Sequence, residues 1–184
     1  PLFTIVLVIF VLIPIKVNAM QLKAYADSGH INTIEVESSD TIEAVKERGF
    51  ENMPAYGWLP VTVPGAPAAW AELSRKFGRL PLLDVLQPAI SYAEEGYALT
   101  PVLAGNWKAA YETYKKKLKG AEFGHWFETF APGGKTPQAG ELWKSGNHAE
   151  TLKEIGQTNA ESFYRGPLAK KIALFSKHYN GFLT

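Results

Sequence analysis

The chain has 184 residues, 46% of them hydrophobic and 12% aromatic, enough apolar surface for one core of ordinary domain size. Nineteen Lys+Arg against eighteen Asp+Glu leave a formal charge of +1, and the basic residues are scattered, which argues against nucleic acid as a partner. With no cysteine there is no disulfide framework, no thiolate metal site and no cysteine nucleophile.

Leu2 to Ile15 is a nearly unbroken apolar run, followed by Lys16 and the small-residue pattern Val17-Asn18-Ala19. Residues 1–19 therefore read as a signal-like segment with its cleavage motif, the alternative being a buried strand or helix. The run falls short of the roughly 20 residues a membrane-spanning helix needs. It opens on Pro1 without an initiating methionine or a basic lead-in, which reads as a truncated start; a genuine leader implies an exported product, periplasmic, secreted or membrane-associated, and otherwise the chain is expected in the cytoplasm. Residues 20–40 remain unassigned, with Ile31, Ile34 and Val36 hinting at a short strand.

Ser39 or Asp40 can cap a short helix over residues 41–48 that stops at Gly49. Pro54, Gly57, Pro60, Pro64, Gly65 and Pro67 then impose an ordered loop, packed down by Tyr56 and Trp58, with Val61 and Val63 alternating as an extended piece does. A helix follows from Ala68 to Phe77, ending at Gly78. Pro81 opens the next, which Gly96 ends and Pro88 is expected to kink or split. Thr100-Pro101 signals a third helix to about Leu118, whose Trp107, Tyr111, Tyr114 and Leu118 form a stripe at helical spacing that reads as core. Lys115, Lys116, Lys117 and Lys119 suit the negative end of that helix's dipole. Phe123 to Gly146 reads as a second aromatic, turn-rich loop. Helical patterns return over 147–155, 159–164 and 167–178, bounded by Gly156, Gly166 and Gly181. The fold class is mainly α with short β pieces.

Local chemistry is sparse. Gly133-Gly134-Lys135-Thr136 has the tail of a phosphate loop, but that motif's first glycine would fall at Thr129 and Pro137 stands where the helix should begin, so a plain turn is expected. His30, His125, His148 and His178 show no metal-ligand spacing, so no metal is expected, and His148 reads as a surface or capping-region residue. Glu94-Glu95 are helix neighbours and point apart. No G-x-S-x-G elbow occurs and no cofactor motif survives.

One longer pattern remains. Gly57 to Trp70, with its Val63-Pro64-Gly65 turn, then Phe77-Gly78-Arg79-Leu80-Pro81, Leu86-Gln87-Pro88-Ala89-Ile90 and Ala93-Glu94-Glu95-Gly96-Tyr97 resemble the γ-glutamyltranspeptidase family in order and spacing. So do Pro132-Gly133-Gly134-Lys135-Thr136-Pro137-Gln138-Ala139-Gly140 and the helices containing Leu152, Ile155 and Ser162-Phe163-Tyr164-Arg165-Gly166. The likeness covers residues 41–184, an internal segment of the family's large subunit.

That resemblance implies a fragment of an αββα amino-terminal-nucleophile hydrolase, whose precursor cleaves itself to expose a threonine at the start of a small subunit. The threonine would attack a γ-glutamyl amide such as that of glutathione, with its own α-amino group as base and backbone donors for the oxyanion. The acyl group would pass to water or an amino acid. The implied partners are the remainder of the large subunit, the small subunit and γ-glutamyl small molecules. None of the family's catalytic or substrate-binding residues falls on a matching position here. The substrate-carboxylate arginine belongs upstream of the Pro-Gly turn in a Gly-Arg context, yet the first arginine is Arg48. Catalytic, substrate-binding and metal residues are thus all expected to be none, and the chain alone inactive. The alternative is an exported or tethered helical interaction protein without activity.

Overall fold

A computed structural model describes residues 23–25, 31–33, 46–47, 49–61 and 64–183. The chain divides into two compact units, residues 1–61 and 62–184. The signal-like segment, Val63 and most of the expected 41–48 helix lie outside the described residues.

In the first unit, β1 (Lys23–Tyr25) pairs antiparallel with β2 (Ile31–Thr33), Ala24 opposite Asn32. The strand hinted at by Ile31 is therefore one arm of a hairpin. Lys46 and Glu47 are helical, and Gly49 turns the chain away at φ +80°, donating its N–H to the Lys46 carbonyl, as a glycine stop does. Tyr56 and Trp58 are half-buried and Leu59 is buried.

The second unit is mainly helical. Prolines mark the starts of the first three helices, where the missing N–H is no loss: α1 (Ala66–Phe77) has Pro67 as its second residue, α2 (Leu82–Glu95) follows Pro81, and α3 (Pro101–Lys117) begins on Pro101. Thr100 caps α3 by accepting the Leu103 N–H at 3.2 Å. At the far end Lys119 donates Nζ to the Lys115 carbonyl, 2.8 Å away, so the lysine run is a helix terminus. α2 is not split by Pro88. One ladder bond is lost there, while Leu82 and Leu86 on one side of the proline and Ile90 and Ala93 on the other are all buried in the same core, which offsets that loss.

The span 123–146 departs from a plain loop. A 3₁₀ turn at Ala121–Phe123 runs into α4 (Gly124–Phe130), and β4 (Leu142–Trp143) pairs antiparallel with β3 (Tyr97–Ala98). α4 forms because Trp126, Phe127 and Phe130 share a side and pack together against α3. Gly133 and Gly134 take φ +63° and +75° in a 3₁₀ turn over 132–134, a conformation for a turn and not for a phosphate cradle opening a helix.

α5 (Gly146–Gln157), α6 (Glu161–Arg165) and α7 (Pro167–His178) complete the unit. Gly156 does not end α5. It lies buried inside the helix, where α5 crosses α2 so closely that a Cβ would sit 2.8 Å from the Leu83 Cα. The true stop comes three residues later, where Asn159 and Ala160 take φ +46° and +66° and the Ala160 N–H reaches back to the Ile155 carbonyl. α2 and α5 form the main helix pair. With Ala160, Leu168, Trp70 and Phe163 packed on them they make the core. Among the described residues no helix is long and apolar enough to cross a membrane.

Candidate functional site

Among the described residues, none of the groups singled out in the sequence is brought together with another. His30 lies outside the described residues. His125 pairs through Nδ1 with Glu128 Oε2 at 3.0 Å on an exposed helix face, and His178 stacks edge-on to Tyr179. Glu94 pairs with Lys153 across the α2–α5 crossing, while Glu95 is exposed. Among the described residues no three His, Asp or Glu side chains converge as a metal site.

What the fold does assemble is an aromatic box. Trp107 of α3 donates its indole N–H to the Phe130 carbonyl at the end of α4, 2.8 Å away, and its ring meets Phe130 and Trp143 edge-on at 5.7 and 5.2 Å. Phe130 and Trp143 stack at 5.9 Å. Tyr111 and Tyr114 meet Phe127 and Trp126, so the stripe read from the sequence faces these partners as core.

His148 sits in the wall of this box, its ring 6.0 Å from Phe130 and 5.9 Å from Trp143, and its Nδ1 lies 2.5 Å from Ser145 Oγ. It is half-buried, which corrects the surface reading and keeps the capping one: Ser145 is the N-cap of α5. Burial holds the imidazole below its ordinary pKa, hence neutral at pH 7. A serine beside a neutral histidine invites comparison with an activated nucleophile, but that chemistry needs a carboxylate to orient the base. His148's ring neighbours here are aromatic, and desolvation alone moves its pKa, with no carboxylate contributing. Ser145 is also tied into the backbone, its N–H donating to Ala93 and its carbonyl accepting from His148 and Ala149. The pair locks the start of α5.

Two polar nodes went unread in the sequence. Tyr164 of α6 donates its hydroxyl to the Pro64 carbonyl at 2.6 Å and accepts the Ala68 N–H at 3.1 Å, bridging the Pro-Gly turn and the first turn of α1. Burial raises the phenol's pKa, and the Ala68 bond partly offsets it. Ser162, buried, donates Oγ to Glu154 Oε1 and receives the Leu168 N–H at 3.4 Å, joining α5, α6 and the start of α7. Both residues stand in the Ser162 to Gly166 motif quoted above. Their roles depend on partners up to 100 residues away, which no local spacing reveals.

The Tyr164 bridge therefore joins two motifs that the sequence quotes separately, the Pro64-Gly65 turn and the Phe163-Tyr164 pair. A family model described as gamma-glutamyltranspeptidase matches residues 31–184. The chain belongs to the γ-glutamyltranspeptidase family. Within it the chain is 32% identical over 124 residues to the glutathione hydrolase-like YwrD proenzyme of Bacillus subtilis, a match covering 67% of this chain and 22% of that protein. The crystal structure of cephalosporin acylase from Bacillus halodurans superposes with a TM-score of 0.76 at 53% identity, over 78% of this chain and 27% of the acylase. Helicobacter pylori γ-glutamyltranspeptidase superposes at 0.64 and 26% identity, over 93% of this chain and 42% of that one. The chain spans about a fifth of the length of the curated relatives it matches.

Proposed function

We propose that this chain is the helical, aromatic-looped part of the large subunit of an amide-cleaving proenzyme with the αββα amino-terminal-nucleophile fold. The observation that carries the reading is the match to the Bacillus halodurans acylase, 53% identical across 78% of this chain. In such an enzyme the nucleophile's oxygen adds to the amide carbon and the amine leaves with a proton. The acyl-enzyme is then released to water or to an amine acceptor. The α2–α5 core, the aromatic box and the Tyr164 bridge supply rigid support for that site, and no catalytic group of it is assigned to these 184 residues.

The first substrate class is a γ-glutamyl amide, as the family description suggests. A second reading, an acyl amide other than γ-glutamyl, is favoured by the higher identity to the acylase than to the Helicobacter pylori transpeptidase. Residues 1–19 are proposed to be an export leader.

A chimera tests the first proposal. Residues 64–183 replace the superposed region of the Bacillus halodurans acylase, and release of amine from γ-glutamyl p-nitroanilide and from a cephalosporin is followed. A folded, active chimera is expected, its preferred substrate deciding between the two classes, while the purified 184-residue chain releases nothing from either. A chimera that never folds, or an isolated chain that turns over, refutes the scaffold reading. A cooperative melt of the isolated chain together with a dead chimera would leave the non-enzymatic interaction protein in its place. Fusion of residues 1–19 to a periplasmic reporter tests the leader, and a reporter retained in the cytoplasm refutes it.

A further inference from the structure

α1 carries two apolar stripes where a surface helix needs one. Pro67, Trp70, Ala71 and Ser74 recur at helical spacing and form its packed side, with Trp70 and Ala71 against the core. About 120° round the helix, by its 3.6-residue turn, Ala69, Leu73 and Phe77 form a second line. That line faces outward: Leu73 is 58% and Phe77 79% exposed. Leu80, 60% exposed, extends it past the helix end, and its carbonyl accepts from Ser74 Oγ at 3.4 Å, which keeps it beside the last turn. The remaining side is polar, carrying Lys76 and the Glu72–Arg75 ion pair at 2.9 Å.

A helix apolar on two sides is built for two neighbours, and the described residues supply one. We infer that the Leu73–Phe77–Leu80 stripe is the seat for an apolar segment of the proenzyme beyond these 184 residues. This inference rests on the scaffold reading. The superposition on the Bacillus halodurans acylase includes only 27% of that protein, so most of a family-length enzyme lies outside the aligned region and is available as the second neighbour. A second copy of the chain is the weaker occupant, because three large side chains on one helix edge fall well short of the roughly 1,200–2,000 Å² that a stable interface buries.

The test places the double substitution Leu73→Lys, Phe77→Lys in the 184-residue chain and in the acylase chimera. The stripe is not part of the chain's own core, so the isolated double variant keeps its melting temperature. The same variant lowers the yield of folded, active chimera more than about tenfold, since two unpaired lysines would then be buried. The milder pair Leu73→Met, Phe77→Leu restores most of that yield. A charged chimera as active as its parent overturns the inference. So does an isolated chain that dimerises through this edge, with the lysines abolishing the dimer and leaving the chimera untouched. Loss of the isolated chain's own melt would assign the stripe to its core and overturn it equally. Failure of the unsubstituted chimera counts separately, against the scaffold reading and with it the stripe's occupant.

Discussion

Replacing Gly156 with alanine pits two opposite effects against each other at one atom. Inside a helix the change ordinarily stabilises by up to about 1 kcal/mol, through lower unfolded-state entropy and better propensity, and by less this near the end of α5. Here the new methyl would stand 2.8 Å from the Leu83 Cα, 3.0 Å from its Cδ1 and 3.2 Å from its Cβ. Relaxed carbon contacts lie at about 3.5–4.0 Å, so α2 and α5 must separate by the better part of an ångström. The Leu83 Cα is helix backbone and cannot swing aside as a side chain does. Overpacking of that kind costs about 1–3 kcal/mol, so Gly156→Ala should end as a net loss of about 1–2 kcal/mol. Gly105 provides the control. It lies inside α3, exposed, and a Cβ there meets nothing within 4 Å, so Gly105→Ala should stabilise by about 0.5–1 kcal/mol. Urea unfolding of the whole chain, followed by far-UV circular dichroism, reads both as shifts in midpoint at constant slope. If Gly156→Ala matches or exceeds the parent, or Gly105→Ala falls below it, the close-packing argument is wrong.

Tyr164→Phe removes both bonds of the Pro64–Ala68 bridge, and a drop of about 1–3 kcal/mol in urea-unfolding stability is expected. Because the folded phenol has a raised pKa, its contribution is complete below the ordinary value of 10.0 and fades as pH climbs through the raised one. The alkaline fall in stability should therefore be shallower in Tyr164→Phe, and an identical slope would count against the bridge. For His148 the sign reverses. Its pKa is lowered by burial, so its contribution is complete above the ordinary 6.5 and declines as pH falls through that value towards the lower, folded one. An NMR titration should place His148 below 6.5, and His148→Gln should flatten the acid limb; a normal titration would refute the buried-box geometry. Ser162→Ala strips Glu154 and the Leu168 N–H of a partner at a buried position, with an expected loss of about 1–3 kcal/mol. Stability equal to the parent's would show that water replaces the hydroxyl.

The helices were legible because their ends are written in local chemistry: Thr100-Pro101 for α3, Pro167 for α7, Gly78 and Gly96 as stops. Where glycine and proline have a non-local purpose, the same alphabet misleads. Gly156 resembles a stop and is a point of helix contact, and Pro88 resembles a break inside a helix buried on both sides of it. The two-residue strands β3 and β4 pair across more than forty positions, and α4 lies between punctuating glycines. Neither leaves a periodic trace long enough to read. The polar nodes were half visible, since family resemblance picked out Ser162 and Tyr164 as letters of a motif. Their partners, Glu154 and the Pro64 carbonyl, became apparent only when α5, α6 and the Pro-Gly turn met in space.

The Tyr164 hydroxyl reaches a carbonyl 100 residues earlier in the chain, and that separation is also a separation in time. At about 5–20 residues per second, the ribosome delivers Tyr164 roughly 5–20 s after Pro64, long after α1 could form and melt many times over. During that interval the Pro-Gly turn has only its own torsional preferences to hold the approach to α1, and Trp70 has no completed core to rest on. The entrance to the first helix of this unit is thus among the last parts of it to be set, although it is among the first to be made. Proteolysis of stalled nascent chains would show it as cleavage near Pro64 that persists until α6 has emerged.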